Sequence, residues 1–211
     1  MSAPGARLVL RMVVIDLAVV LIAPPTAAQA GSVVRPDPRG DVVKVGPGWA
    51  GPQGGYEVNP APDRRRGDIT RTRLQHTANR VRIRLTFADL RRQGALLDVN
   101  ARVWTNEGVL HYVSLYARPG QWAGKVFMRS EGATSRCKVR HSVDYADNRV
   151  TISIPRACLS RPRWVQIAVS DLTSPINIPI TPETEPVFWF RDDALRNGYG
   201  ELTFSRRIYR G

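Results

Sequence analysis

From Val81 to Phe87 the chain alternates without interruption: Val81, Ile83, Leu85 and Phe87 are apolar, while Arg82, Arg84 and Thr86 are polar. A period of two puts successive side chains on opposite sides of an extended backbone, so this segment predicts a strand with one dry face and one wet face. The pattern recurs. Leu97, Val99, Ala101 and Val103 are interleaved with Asp98, Asn100, Arg102 and Trp104, and Val150, Ile152, Ile154 and Val165, Ile167, Val169 repeat it. Turn-forming residues separate these runs at Ala78-Asn79, Asn106-Glu107-Gly108, Arg118-Pro119-Gly120 and Ala146-Asp147-Asn148. No segment after residue 30 sustains an amphipathic helix. The expected fold class is all-β, an antiparallel β-sandwich of about seven to nine strands.

A chain of 211 residues suits one domain of this kind, and its apolar (43%) and charged (23%) fractions exclude wholesale disorder, collagen and a multi-span membrane protein. The balance is basic, 31 Lys and Arg against 18 Asp and Glu, and only Lys44, Lys125 and Lys138 are lysines. A GC-rich coding sequence would produce such an arginine excess as readily as selection for guanidinium chemistry. The first thirty residues read as a secretory signal. Arg7 and Arg11 precede the apolar run Met12 to Ile22, Pro24 and Pro25 follow, and Ala28-Gln29-Ala30 offers a peptidase site before Gly31. The run is about half of the roughly 20 residues that cross a bilayer, so no membrane span is expected after cleavage. Residues 31–66 hold seven glycines and six prolines and read as a flexible arm, with one short edge strand over Asp41 to Val45. Residues 67–211 are then the sandwich. A secreted protein, extracellular or associated with the cell envelope, is expected.

Export gives the two cysteines a role. Cys137 to Tyr145 and Arg149 to Pro155 read as a hairpin; with Tyr145 opposite Arg149, residue 137 faces 157, next to Cys158. A Cys137–Cys158 disulfide would clamp its open end.

The same register arithmetic turns alternation into surfaces. With Thr105 opposite Val109, the inward pairs are Val103 with His111, Ala101 with Val113 and Val99 with Leu115. The outward pairs are Trp104 with Leu110, Arg102 with Tyr112, Asn100 with Ser114 and Asp98 with Tyr116. Trp104, Tyr112 and Tyr116, edged by Asp98, Asn100 and Arg102, form a face suited to sugars, which present both C–H patches and hydroxyls. With Thr77 opposite Arg80, Leu74 meets Ile83 and His76 meets Val81 inside, while Arg73 faces Arg84 outside, with Arg71 and Arg82 nearby. These four arginines could receive an anionic polymer or lipid surface; as a solvated face their long stems would simply cover apolar sheet. Export makes nucleic acid a poor expectation.

Catalytic motifs are missing: there is no Gly-x-Ser-x-Gly, His-Glu-x-x-His, Walker or dinucleotide glycine pattern. His76, His111 and His141 lack metal-ligand spacing. Asp37, Asp41, Asp63 and Asp68 could offer oxygens to calcium near the start of the domain, but they fit no defined loop, so no metal and no cofactor is expected. Arg39-Gly40-Asp41-Val42 and Arg66-Gly67-Asp68-Ile69 each spell an adhesion tripeptide and are read as turns that open strands.

Gly67-Asp68-Ile69, the arginine-rich hairpin ending Phe87-Ala88-Asp89-Leu90, the stretch Ile154 to Leu159 and Arg163-Trp164-Val165 resemble a group of uncharacterised secreted proteins of GC-rich bacteria, across the last two-thirds of the chain. More remotely the pattern is similar to DOMON-type domains and carbohydrate-binding modules. That resemblance implies a binding role, for sugars or haem; Met128 lies in a plausible strand, but no haem-ligand partner matches it by motif. The expected function is a secreted, non-catalytic module that binds a glycan or anionic cell-envelope polymer. An envelope protein without a small ligand and a hydrolase without a recognised motif are the competing classes.

Overall fold

The computed structural model describes residues 31–48, 55–94, 96–130, 133–134, 136–174, 188–196 and 200–211. Two antiparallel sheets pack face to face. The smaller has five strands in the order β1-β4-β5-β11-β10: β1 Gly31–Pro36, β4 Ile69–His76, β5 Arg80–Phe87, β11 Arg149–Pro155 and β10 Arg140–Asp144. The larger runs β3-β2-β13-β12-β6-β7-β8-β9. Its strands are β3 Gly55–Pro60, β2 Val43–Gly48, β13 Trp189–Asp193, β12 Trp164–Ser174, β6 Leu96–Thr105, β7 Leu110–Arg118, β8 Gln121–Ser130 and β9 Ala133–Thr134. A two-residue strand β14, Ile208–Tyr209, adds to β12. Among the described residues no helix is long and apolar enough to cross a membrane.

The alternation governs the packing. In β5 all four apolar residues are buried and the arginines between them are half-buried at most. Leu74, Ile83, Leu85, Ile152 and Ile154 of the smaller sheet meet Val99, Val103, Leu115, Val165 and Ile167 of the larger in one core. Both hairpin registers hold residue for residue: Leu74 faces Ile83, His76 faces Val81 and Arg73 faces Arg84, while Val103 faces His111 and Arg102 faces Tyr112. A one-residue slip would carry every one of these apolar side chains into water. At the open side β8 folds toward β10. Tyr145 stacks edge-on against Trp122 and donates its hydroxyl to the Trp122 carbonyl at 2.9 Å, and His141 Nε2 contacts the Gly124 carbonyl at 3.0 Å.

Three expectations change. The described residues of the segment 31–66, expected as a loose arm, are paired into the sheets: β1 joins the smaller beside β4, while β2 and β3 extend the larger beside β13. Backbone ladders fix these strands together with a few buried valines, Val33 in β1 and Val43 and Val45 in β2. Together with β9 and β14 they bring the strand number among the described residues to fourteen. In the β10–β11 hairpin Arg149 faces Asp144, one residue earlier than predicted, since Tyr145 leaves the ladder for Trp122. Cys137 and Cys158 are nonetheless bonded, with Cα atoms 5.8 Å apart; a short 3-10 turn over Arg156–Leu159 brings Cys158 back. The last long strand, β13, starts at Trp189; residues 175–187, and residues 1–30 on which the expected secretory signal falls, lie outside the described residues.

Candidate functional site

Three polar constellations stand out, one on each outer face and one between the sheets. On the outer face of the smaller sheet, alternation sends Arg80, Arg82 and Arg84 of β5 outward, beside Thr151 and Ser153 of β11 and Ser142 of β10. With Arg140 and Arg149 they line an open depression of about 500 Å³ that contains five arginines and no carboxylate. Among the described residues, only Arg149 of the five is ion-paired, with Asp144 at 3.0 Å and Asp147 at 2.7 Å. Arg80 donates to the Ser153 hydroxyl at 3.0 Å, and the Nε of Arg84 is sealed from water without an acceptor. Of the four arginines expected to face an anion, Arg82 and Arg84 line this depression, together with Arg80, Arg140 and Arg149. Arg73 stands opposite Arg84 on β4, and Arg71 faces Thr86; both are exposed at the near side of this surface.

On the outer face of the larger sheet a groove of about 420 Å³ runs over β6, β7, β12 and β13. Asn100, Arg102 and Tyr112 line it with Ser114, Arg129, Ser170, Trp189 and Arg191. The Tyr112 ring lies between two guanidiniums, Arg129 at 4.9 Å and Arg102 at 5.8 Å from its centre. Ser114 donates to the Asn100 side-chain oxygen at 2.7 Å, and Arg191 is paired with Asp193 at 2.9 Å. The other expected members stand apart. Trp104 is 38% exposed but lies outside the groove, Tyr116 packs edge-on against Phe127, and Asp98 is buried, where desolvation pushes its carboxyl up to about 6. Sequence reasoning missed Arg129, because β8 carries little burial contrast and the β7–β8 register shifts between Tyr116 and Arg118.

Between the sheets the charge is negative. Asp41, in the crossover from β1 to β2, Asp68, just before β4, and Asp192 of β13 each bring a carboxylate oxygen within 4.8 Å of the others. Asp37 lies alongside, its carboxyl raised to about 9 by burial and then by Asp192; Asp192 is raised to about 8, again chiefly by burial. Gly40 and Gly67, at φ +77° and +83°, make the two turns that aim Asp41 and Asp68. At Gly67 a Cβ would stand 2.8 Å from a carboxylate oxygen of Asp171, so only glycine fits. Asp63, expected near this group, is exposed.

Two of the histidines, His76 and His111, are buried, whereas His141 lines the arginine depression. His76 is buried with Nδ1 donating to the Ile208 carbonyl at 3.0 Å, and burial lowers its pKa. His111 Nδ1 contacts the Ser130 hydroxyl. Met128 is sealed inside the core opposite Val113. No protein-family model, curated protein or solved structure matches this chain.

Proposed function

We propose that this protein is a secreted, non-catalytic binding module for an acidic glycan or comparable anionic polymer of the cell envelope. The observation that carries the reading is the depression lined by Arg80, Arg82, Arg84, Arg140 and Arg149 without a carboxylate. A row of guanidiniums held on three neighbouring strands matches repeated carboxylates or phosphates along a chain, and guanidinium forks bind such groups in bidentate fashion. The groove on the opposite face supports the same chemistry at the scale of a sugar ring. Arg102 and Arg129 supply charge, Tyr112 an aromatic surface, and Asn100, Ser114 and Ser170 hydroxyl-matching groups. The disulfide is compatible with an oxidising, extracellular setting. The resemblance of the sequence pattern to carbohydrate-binding modules would imply the same kind of role.

The test is isothermal titration at low salt with polygalacturonate, neutral dextran and a DNA duplex as ligands. Polygalacturonate binds in the micromolar range and dextran does not. Arg82→Ser with Arg84→Ser lowers affinity at least tenfold, and Arg102→Ser with Arg129→Ser does so for short oligouronates. Equal binding of dextran, DNA that binds tighter than the polyuronate, or arginine variants that bind like the parent each refute the reading.

A further inference from the structure

The crossover from β1 to β2 leaves the smaller sheet and enters the larger, and on the way it carries Asp37 and Asp41. Asp68 approaches from the smaller sheet and Asp192 from the larger. The oxygens of Asp41, Asp68 and Asp192 fall within 4.8 Å of one another, the span of opposite ligands around a calcium ion with bonds of about 2.4 Å.

A crowd of acids alone would not make a site. The separate observation is Asp37. It is 8% exposed, its carboxylate accepts no hydrogen bond among the described residues, its Oδ2 is sealed from water, and among charged neighbours Asp192 acts on it most strongly. Asp68 and Asp192 show the same one-sidedness. Each uses Oδ2 to accept a backbone N–H, from Gly40 at 3.2 Å and Ile69 at 2.7 Å, and each leaves Oδ1 buried without a donor. Buried carboxylate oxygens are ordinarily hydrogen-bonded or bound to a cation. Arg39 and Arg65 act on Asp68 only through space, and Arg191 is committed to Asp193.

We propose that Asp37, Asp41, Asp68 and Asp192 form a calcium site that clasps the two sheets together through the β1–β2 crossover. The donor set is all oxygen, with no imidazole or thiolate, which selects a hard cation over zinc or copper. Ligands from three separate segments give the adaptable shell that calcium accepts and magnesium, which demands tight octahedral geometry, does not. The site also adds a tie at the crossover between β1 and β2, beside the packing of Val33, Val42, Val43 and Val45. It uses none of the residues of the proposed polymer surfaces, so either reading can fail alone.

The test takes the full chain, stripped with chelator and desalted, and follows thermal unfolding and isothermal titration with CaCl2 and with MgCl2. A millimolar concentration of CaCl2 raises Tm by about 5–10 °C, and MgCl2 by less than half as much. Calcium also protects residues 31–60 from limited proteolysis. Asp192→Asn lowers calcium affinity at least tenfold. Asp37→Asn, which breaks no hydrogen bond of the fold, does the same and serves if Asp192→Asn does not fold. A parent protein with no calcium-dependent shift, an equal response to magnesium, or an Asp37→Asn protein that binds calcium like the parent overturns the proposal.

Discussion

The arginine depression and the aspartate cluster are the same device in opposite surroundings. Each gathers four or five like charges, the first from three neighbouring strands on an outer sheet face and the second from the β1–β2 crossover, the turn before β4 and β13 between the sheets. Outside, water and salt screen the repulsion, the long arginine stems cover apolar sheet, and crowding costs little. Inside, burial first, and the neighbouring carboxylates after it, push Asp37 to about 9 and Asp192 to about 8. An exposed set can therefore wait for a transient ligand, whereas a buried set calls for a resident counter-charge. Solvent access, more than charge number, separates a docking surface from a structural ion site.

Salt should separate them most sharply. If four or so guanidiniums contact a polyanion, raising NaCl from 50 to 500 mM lowers polygalacturonate affinity on the order of 10²–10³-fold through counterion release. Calcium affinity of the stripped protein should fall no more than roughly tenfold over the same range, because its ligands are shielded from bulk ions. Titrations at four salt concentrations decide this, and parallel slopes would erase the distinction.

Reducing the disulfide should act on one region only. Cys137 and Cys158 bracket the hairpin that carries Arg140 and Arg149, and opening the loop costs about 3 kcal/mol in the chain-entropy model. Denaturant unfolding with and without reductant measures that loss. Polymer affinity should drop with it, while the calcium-induced rise in Tm persists, since no proposed ligand lies on this hairpin.

Asp98 is a buried acid held by a single side chain, Asn100, and it sharpens what burial alone does. Its carboxyl is raised to about 6, first by desolvation, with Asn100 pulling the other way. A folded value above the unfolded one means that the native state holds the proton more tightly. Stability from this group is therefore fully present below pH 4 and is lost as pH rises through 6. Asp98→Asn should be more stable than the parent by about 2–3 kcal/mol at pH 7.5 and no more stable at pH 3.5. Urea unfolding at the two pH values checks this; a gain of the same size at both would show that desolvation of the charged form is not the cause.

What was legible in the sequence follows the same division between wet and dry. Strands β4 to β7, β11 and β12 could be read because alternate side chains are buried, and the two registers came out correctly because a slip there would expose Ile83 or Val99. Of the first three strands only β2 was legible, as the short edge strand expected over Asp41 to Val45, where Val43 and Val45 are buried on either side of Lys44; β1 and β3 were not, since backbone ladders hold them without a run of alternating apolar residues. The two outward faces were half legible. Arg82, Arg84, Arg102 and Tyr112 followed from register, but Arg129 lay beyond a bulge and Arg140 beyond a mis-set turn. The acidic cluster shows why local reading runs out. The matching turns at Gly40-Asp41 and Gly67-Asp68 were visible as strand openers, yet only the fold brings these two aspartates to one point, with Asp192 arriving from the other end of the chain.

The smallest effect is the most local. Arg73 lies directly across from Arg84 on neighbouring strands, and like charges in that position are destabilising by a few tenths of a kcal/mol, screened by solvent. Arg73→Glu replaces the repulsion with an attraction and places an acceptor near the Arg84 Nε, which has none. The variant should gain about 0.5 kcal/mol in denaturant unfolding at 50 mM NaCl, and most of the gain should vanish at 500 mM. The same change adds a carboxylate beside the depression, so polygalacturonate affinity should fall even as stability rises. Opposite signs in the two measurements would show that the crowded arginines are kept at a cost to stability for what they bind; a variant that gains in both would show that Arg73 and Arg84 are only a solvated face.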